Sequence, residues 1–284
     1  MTSALVIGEA LVDVVRRGAD APVAHPGGSP LNVAVGLARL GIPATLHSSF
    51  GADAHGLAIA EHLAASDVAV TATTVGTDPT SVAVATIGAD GAATYDFRIA
   101  WEPAPVDPAG FDLVHTGSIG AALEPGATVV EAALAAAAGL VSFDPNIRPA
   151  LLPPAEVARE RVERLVGLAQ VVKASDEDVA WLYPGDAITT VLERWRALGP
   201  RLVVVTRGGG GADALTAAGA LHVDVPPVTV ADTIGAGDSF MAGLLADLLR
   251  NGFDDPAASL AFAARCAAIT VSRPGANPPW TAEL

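Results

Sequence analysis

Short apolar runs alternate along the chain with longer segments in which apolar residues recur at helical spacing. The apolar runs have the length and character of strands buried on both faces: Ala4–Ile7, Ala44–Ser48, Leu113–His115, Leu140–Phe143, Val171–Lys173 and Leu202–Val205. The segments between them have the spacing of amphipathic helices: Leu31–Leu40, Leu57–Ala65, Val129–Ala138, Ala155–Leu168 and Ile188–Leu198. This alternation predicts an α/β fold with a doubly wound, mostly parallel sheet flanked by helices.

Two stretches interrupt the alternation and indicate a small second sheet. Residues 12–25 follow the first strand with polar, turn-rich sequence instead of a crossover helix. Residues 81–98 form two strand-like segments joined by Ala89-Asp90-Gly91, and an Asp-Gly pair favours a hairpin turn. Both stretches leave the carboxyl end of the predicted sheet, where α/β proteins bind ligands. We therefore expect residues 1–284 to form one domain with a β lid made by about 12–25 and 79–101.

The composition narrows the class of protein. Hydrophobic residues make up 51% of the 284 positions and charged residues 17%, which excludes a disordered chain. The 31 acidic residues outnumber the 16 basic ones, so the chain lacks the positive charge that binds nucleic acids or anionic membranes. A single cysteine, Cys266, excludes a disulfide framework. Together with an N-terminus that lacks a basic leader, it favours a cytoplasmic enzyme.

The segment Asp232-Thr-Ile-Gly-Ala-Gly-Asp238 carries the strongest chemical signal. Apolar residues at helical spacing follow it, so a helix is expected to begin near Gly237. Gly235, Ala236 and Gly237 then present backbone N–H groups at a helix N-terminus, which favours an anion such as phosphate. Asp238 lies beside that anion and is placed to accept a proton from a hydroxyl nucleophile in phosphoryl transfer. A lone Asp would merely cap the helix, whereas two Asp residues around Gly-Ala-Gly favour catalysis.

A second motif, Gly27-Gly-Ser-Pro-Leu-Asn32, opens the first predicted helix. Gly27 and Gly28 permit the close approach of a ligand, and the Asn32 amide both donates and accepts hydrogen bonds. Asp13, shortly after the first strand, adds a carboxylate that accepts hydrogen bonds. Together these groups suit the vicinal hydroxyls of a sugar. Phe97, on the predicted lid, is a further candidate for the sugar pocket.

In these motifs the chain resembles the ribokinase-like (PfkB) carbohydrate kinases over nearly its whole length. The Gly-Gly-x-x-x-Asn and Asp-Thr-x-Gly-Ala-Gly-Asp motifs stand in the order of that family, about 200 residues apart. Three further segments are most similar to the fructokinase branch: Gly8-Glu-Ala-Leu-Val-Asp13, Phe143-Asp-Pro-Asn-Ile-Arg148 and Lys173-Ala-Ser-Asp-Glu-Asp178. The resemblance implies that Asp238 is the general base and that residues 235–237 form the anion hole. It also implies that Asp13, Gly28 and Asn32 hold the sugar.

Positive charge is predicted at the ends of two other strands, where it would meet phosphate. Arg148 follows the strand Leu140–Phe143, and its guanidinium pairs well with phosphate oxygens. Lys173 ends the next predicted strand, and its ammonium is a candidate for binding the phosphates of ATP. Ser175 and Asp178 stand where the family carries an Asn-x-x-Glu pattern that organises magnesium. Because Asp is shorter than Glu, Asp178 is expected to reach Mg²⁺ through water.

The nucleotide is expected to bind beside Thr206-Arg-Gly-Gly-Gly-Gly211, a glycine-rich turn after a predicted strand. No Gly-Lys-Ser/Thr follows, so this turn is not a Walker A loop, and the first strand lacks a dinucleotide-binding fingerprint. The resemblance implies that Thr206 and Gly208 contact ATP within this turn, which ends at Gly211, and that Asn277 lies near the adenine. It also implies a monovalent cation such as K⁺, held by Asp232 and neighbouring carbonyl groups.

These observations predict an ATP-dependent, magnesium-requiring sugar kinase that phosphorylates a primary hydroxyl, with fructose as the first choice. 2-Keto-3-deoxygluconate, ribose and a nucleoside stay open as acceptors, because the lid residues do not reveal the sugar. A catalytically silent sugar or nucleotide sensor is disfavoured by the presence of both Asp232 and Asp238. A NAD-linked oxidoreductase is disfavoured by the missing fingerprint. The expected partners are the sugar and ATP, with a homodimer through the exposed lid edge.

Overall fold

The computed structural model describes residues 2–17, 22–71, 73–87 and 93–284, without the side chains of residues 17, 87, 93 and 95. Its strands are β1 Ala4–Ile7, β2 Leu11–Arg17, β3 Val23–Gly27, β4 Ala44–His47, β5 Phe50–Gly51, β6 Ala69–Val70, β7 Val75–Gly76, β8 Ser81–Ile87, β9 Ala93–Arg98, β10 Leu113–Gly117, β11 Leu140–Asp144, β12 Val171–Ser175, β13 Leu202–Thr206, β14 Ala212–Thr216 and β15 Gly219–Val223. Its α-helices are α1 Ser29–Arg39, α2 Ala54–Ala64, α3 Ser118–Ala122, α4 Gly126–Ala136, α5 Ala155–Leu168, α6 Asp176–Leu182, α7 Ile188–Ala197, α8 Ala236–Asn251 and α9 Pro256–Val271.

A nine-stranded sheet in the order β15-β14-β13-β12-β11-β10-β1-β4-β6 forms the centre of the structure. All neighbouring strands from β6 to β13 run parallel, so the predicted doubly wound, mostly parallel sheet is confirmed. β14 and β15 add an antiparallel hairpin at one edge. The apolar pattern does not predict this hairpin, because the alanine residues of both strands and Gly219 of β15 do not favour strand structure.

Helices cover both faces of this sheet, and the central strand β1 shows why its sequence is apolar throughout. Ala4 and Val6 belong to the hydrophobic core that includes α1, α8 and α9. Leu5 belongs, with Ile7, to the core on the other face, which includes α5 and α7. Successive side chains of a strand point to opposite faces, so burial on both faces requires an uninterrupted apolar run. Among the described residues, no helix is both long and apolar enough to span a membrane.

A second sheet, in the order β3-β2-β8-β9, lies over the carboxyl edge of the large one. Strands β2 and β8 pair in parallel, whereas β3 pairs with β2, and β9 with β8, in antiparallel fashion. These strands come from the two stretches that interrupt the α/β alternation. The predicted turn at 89–91 lies outside the described residues, as do residues 18–21 of the predicted lid.

Several strands of the large sheet continue one or two residues beyond their apolar runs. β10, β11, β12 and β13 end at Gly117, Asp144, Ser175 and Thr206, because pairing of the main chain does not require an apolar side chain. Parallel strands end at the same edge of a sheet, so these residues are collected there. The polar residues that follow the strands therefore meet at one edge, beneath the second sheet.

Candidate active site

A cavity of about 880 Å³ opens at this carboxyl edge, between the large sheet and the second sheet. Residues of the second sheet line one part of it, here called one end, and residues of the segment after β15 and of α9 line another part, here called the opposite end. The residues of the Asp232–Asp238 segment from Thr233 onward line its middle, together with residues that follow β11 and β12. The cavity therefore has room for two ligands that meet beside the N-terminus of α8.

The Asp238 carboxylate lies where the N-termini of α1 and α8 meet, and it is buried. Its Oδ1 accepts a hydrogen bond from Ser29 Oγ at 2.6 Å, and its Oδ2 accepts one from Asn32 Nδ2 at 2.8 Å. Both donors come from the first turn of α1, more than 200 residues away in the chain. These bonds fix the carboxylate at the cavity wall. Asn32, predicted as a sugar ligand, thus also orients Asp238.

The predicted anion cradle has the backbone geometry of a helix N-terminus. Gly235 has a positive φ of 74°, and a Cβ atom there would lie 2.6 Å from Ala276, so only glycine fits. The Ala236 amide donates to the Thr233 carbonyl across the turn. The amides of Gly237 and Asp238 lie in the first turn of α8, where no carbonyl of the helix can accept them. They line the cavity and suit an anion.

A buried ion pair lies directly beneath this cradle. Lys173 Nζ is 2.8 Å from Asp144 Oδ2, and both side chains are almost fully buried. Burial raises the pKa of Asp144 to about 6, although the Lys173 ammonium opposes the shift. Burial by itself would lower the pKa of Lys173, but the carboxylates of Asp144, Asp178 and Asp238 together raise it. The ammonium is therefore charged and lies 3.2 Å from where a Cβ atom at Gly237 would be.

Asp178, the predicted magnesium contact, lines the cavity at the start of α6. Its Oδ2 accepts from the Ser175 amide and Ser175 Oγ accepts from the Asp178 amide, which makes a reciprocal cap of the helix. Its Oδ1 accepts the Ile147 amide at 2.7 Å. Both carboxylate oxygens thus already hold backbone groups. Among the described residues, no cluster of three or more His, Cys, Asp or Glu side chains could hold a metal by itself.

The second sheet contributes one row of side chains to the cavity. Its register places Asp13 beside Ala83, and Ala83 beside Phe97, on adjacent strands, and all three line the cavity. Gly27 does not line it but makes room for Asp13, since a Cβ atom at Gly27 would lie 2.2 Å from Asp13 Oδ2. Gly28 lines the cavity with a φ of 112° that favours glycine.

Arg148 lies at this same end of the cavity and is exposed. Its guanidinium donates to the Asn146 side chain at 2.8 Å and to carbonyl groups of its own loop. Desolvation raises the pKa of Asp13, and the charges of Arg148 and His25 oppose that shift. Arg148 therefore lies within electrostatic reach of Asp13, the predicted sugar ligand.

At the opposite end, Thr206, Gly208 and Gly211 line the cavity as the nucleotide prediction requires. Asn277 is not brought there: its Oδ1 accepts a hydrogen bond from Arg39 of α1, because the C-terminal segment packs along that helix. Asn277 therefore does not line this cavity, and its expected contact with adenine stays a prediction. Asp232 accepts the amides of Ile234 and Gly275 and so joins two loops beside the cavity.

Sequence reasoning missed three residues of the site. The second motif does not single out Ser29, although a hydroxyl at a helix start is a common hydrogen-bond donor. Asp144 was also missed, although it stands inside a segment similar to the family. An acidic residue at the end of one buried strand and Lys173, the only lysine of the sequence, at the end of the next could have indicated an ion pair. Glu9 also stands inside a family segment, and it is a buried carboxyl group at the cavity wall.

The chain is similar to known proteins over almost its whole length. The model of the pfkB family carbohydrate kinases matches residues 1–283. The chain is 35% identical to a fructokinase from Klebsiella pneumoniae over 95% of this chain and 94% of that protein. It is 28% identical, with a TM-score of 0.83, to a double-mutant fructokinase from Vibrio cholerae O395 in a fructose-, ADP- and potassium-bound form, over 97% of this chain and 94% of that one. Aminoimidazole riboside kinase from Salmonella enterica, complexed with aminoimidazole riboside and an ATP analogue, has 28% identity and a TM-score of 0.82, over 97% and 95% of the two chains.

The fold, the cavity and these similarities define the class of the protein. It is a phosphotransferase with an alcohol group as acceptor, an ATP-dependent sugar kinase. The similarities extend over almost the whole chain and include both motif regions. The chain belongs to the pfkB family of carbohydrate kinases. The family predicted from the motifs is confirmed.

Proposed function

We propose that the protein transfers the γ-phosphoryl group of ATP to a primary hydroxyl of fructose. The observation that carries this proposal is the Asp238 carboxylate, held by Ser29 and Asn32 beside the amides of a helix N-terminus. A sugar hydroxyl at this point would face the carboxylate, and a phosphate would face the amides. The similarity to fructokinases over most of the chain supports fructose as the acceptor.

In the proposed mechanism Asp238 acts as the general base. The sugar hydroxyl gives its proton to the carboxylate while its oxygen forms a bond to the γ-phosphorus, and the bond to the ADP oxygen breaks. The amides at the start of α8 that have no acceptor in the helix, the Lys173 ammonium and Arg148 stabilise charge on the transferring oxygens. Asp13, Gly28, Asn32 and Phe97 would hold the sugar. Thr206, Gly208 and Gly211 would contact ATP.

Magnesium is the proposed metal ion, and the residues present fit it. Asp144 Oδ1 is buried and has no hydrogen-bond partner within the described structure, so it has a free acceptor for a metal-bound water. Asp144 lines the cavity beside Asp178, and Mg²⁺ prefers one or two carboxylates together with substrate phosphates. The ion would neutralise phosphate charge. K⁺ is the proposed monovalent ion, near Asp232, whose carboxylate joins the loops at 234 and 275.

The second sheet is the proposed lid within one domain of residues 1–284. Its row of Asp13, Ala83 and Phe97 faces the cavity, so movement of the sheet toward the large sheet would exclude water from the sugar. Exclusion of water would suppress hydrolysis of ATP. The outer strands β3 and β9 leave edges that support the proposal of a homodimer through this sheet. We also propose that the enzyme works in the cytoplasm.

The test is an assay of ADP release with a panel of acceptors, comprising fructose, 2-keto-3-deoxygluconate, ribose and nucleosides. Fructose is expected to have the highest kcat/KM, and ADP release is expected to depend on the acceptor. Preference for another acceptor would replace fructose while leaving the kinase intact. Binding of sugar and ATP with no turnover would instead favour the silent-sensor alternative.

The role of Asp238 is tested by Asp238→Asn, which keeps the shape and removes the proton acceptor. We expect kcat to fall by about 10²–10⁴-fold, while calorimetry still detects the binding of sugar and ATP. Asp247→Asn on the same helix is a matched control, because Asp247 also accepts two side-chain hydrogen bonds, from Asn251 and Ser259. Near-normal turnover of Asp238→Asn would refute the assignment. If a folded Asp238→Asn variant no longer binds sugar or ATP, the role of Asp238 is to hold the structure at the start of α8.

A further inference from the structure

Glu9 is a buried carboxyl group that the proposed mechanism does not use. It follows β1 at the carboxyl edge of the large sheet, is 2% exposed, and lines the sugar end of the cavity. Carboxylates are rarely buried to this extent without a partner or a function. The contacts of the Glu9 side chain therefore indicate its role.

The Glu9 side chain holds the segment that begins α3. Its Oε2 accepts the Gly120 amide at 2.7 Å, and the nearby Ser118 side chain also favours the charged carboxylate. Ser118 has a φ of 53°, a left-handed conformation that costs a non-glycine residue energy unless its surroundings hold it. Ile119, between these two partners, packs against Leu11 of the second sheet. Glu9 thus holds residues 118–120, which pack against the second sheet.

Arg148 is the charged group that acts on Glu9, and both residues line the cavity. Its guanidinium acts on the charge of Glu9 and on that of Asp13, so one cation serves both carboxylates. His25 faces Asp13 from β3. The residues that pack against Glu9, Gly28 and residues 118–120, have no titratable side chain of their own. The electrostatic balance at this end of the cavity therefore involves Glu9, Asp13, Arg148 and His25.

We infer that Glu9 is a positioning residue of the sugar end: its carboxylate holds residues 118–120 beneath the second sheet and draws Arg148 toward the sugar. This inference rests on the proposed function, since it assumes that this end of the cavity binds the acceptor. Burial raises the pKa of Glu9 to about 7, although the Gly120 amide and Arg148 oppose the shift. The carboxylate therefore forms as the pH rises through 7. Sugar affinity increases over the same range.

Glu9→Gln tests this role, because glutamine still accepts the Gly120 amide but carries no charge. At pH 8 we expect the KM for the sugar to rise about fivefold or more, with kcat changed much less. At pH 6 the variant and the wild type should differ little, because wild-type Glu9 is largely protonated there. Glu61→Gln, on an exposed position of α2, is the matched control and should retain the wild-type pH profile.

A double-mutant cycle with Arg148→Ala separates positioning from general support of the fold. If Glu9 acts through Arg148, Glu9→Gln should raise the KM less than about twofold in the Arg148→Ala background. A full effect in that background, or an unchanged KM and pH profile in Glu9→Gln alone, overturns the inference. Wild-type turnover is measured first. If the wild type turns over no acceptor, both the proposed function and this inference are refuted. If the wild type is active and Glu9→Gln has the same KM and pH profile, the inference alone is refuted.

Thermal unfolding gives a readout of Glu9 that does not need activity. The pKa of Glu9 is raised in the folded protein, so its contribution to stability is complete below about pH 4.5 and is lost as the pH rises through about 7. Glu9→Gln should therefore match the wild type near pH 5 and unfold at a higher temperature at pH 8. Equal or lower stability at pH 8 would mean that Glu9 does not titrate in this range, and would overturn its role.

Discussion

Replacement of Lys173 by methionine removes the cation beneath the anion cradle while keeping the length of the side chain. Lys173 and Asp144 are 3% and 1% exposed, and their charged atoms lie 2.8 Å apart. In Lys173→Met the Asp144 carboxylate is left buried without its cation. Removal of one partner of a buried ion pair costs about 3–5 kcal/mol, because the remaining charge has no compensation.

Asp144 can limit this loss by taking up a proton. To hold a carboxyl group with an ordinary pKa of 3.8 neutral at pH 7 costs about 4 kcal/mol. We therefore expect Lys173→Met to lose about 3–4 kcal/mol at pH 7, and Tm to fall by roughly 10 °C for a chain of this size. The deficit should shrink toward pH 4, because Asp144 is then protonated in the unfolded chain as well.

The assay is equilibrium unfolding of Lys173→Met and of the double variant Lys173→Met/Asp144→Asn across pH 4–8. The double variant removes both charges and should recover most of the lost stability, yet its ATP affinity should remain weak because the ammonium beside Gly237 is missing. Arg98→Met is the control, since the exposed pair of Arg98 and Asp96 contributes at most about 1 kcal/mol. A Lys173→Met protein as stable as the wild type at pH 7, or a double variant no more stable than the single one, would refute the reasoning.

Two further predictions concern residues outside the catalytic centre. Asn277→Ala should leave the KM for ATP within about twofold, and it should reduce stability by about 1 kcal/mol because Arg39 loses a hydrogen-bond acceptor. A tenfold rise in the KM for ATP would instead show that Asn277 belongs to the nucleotide site. Asp53→Ala should cost about 1 kcal/mol, because Asp53 caps α2 at Gly56 and also binds Thr80 before β8. These bonds lower the pKa of Asp53 to about 2, so the difference from wild type should hold above about pH 4 and disappear as the pH falls toward 2, which acid unfolding would measure.

The large sheet could be predicted from sequence because its central strands are buried on both faces. An uninterrupted apolar run such as Val171–Val172, flanked by helical segments, is typical of a strand in a covered parallel sheet. The edge hairpin of β14 and β15 could not be predicted in this way, since its alanine and glycine residues carry no strand signal. The polar ends of β11 and β12 were likewise missed, because strand pairing depends on the main chain and not on the apolar run.

The site was predictable where chemistry and local structure coincide in one short segment. Asp238 follows two glycines at a helix start, so its neighbourhood could be worked out from the residues beside it. The bond between Asp238 and Asn32 joins two helices separated by 206 positions, and no spacing rule reveals such a contact. The bond that holds Asn277 outside the cavity lining could not be predicted for the same reason. Its partner, Arg39, lies 238 positions away in the chain.

The packing of α8 and α9 against α1 has a consequence for the synthesis of the enzyme. A ribosome releases α1 and the second sheet early, whereas residues 235–238 emerge only after four fifths of the chain. Until then the apolar face of α1, which includes Val33 and Leu37, lacks Leu244 and Leu245 of the core that it shares with α8. A nascent chain halted before α8 therefore exposes a hydrophobic helix to chaperones and has no phosphate cradle. Completion of the fold and acquisition of the proposed base Asp238 depend on the same late segment, so a chain halted before α8 is expected to lack kinase activity.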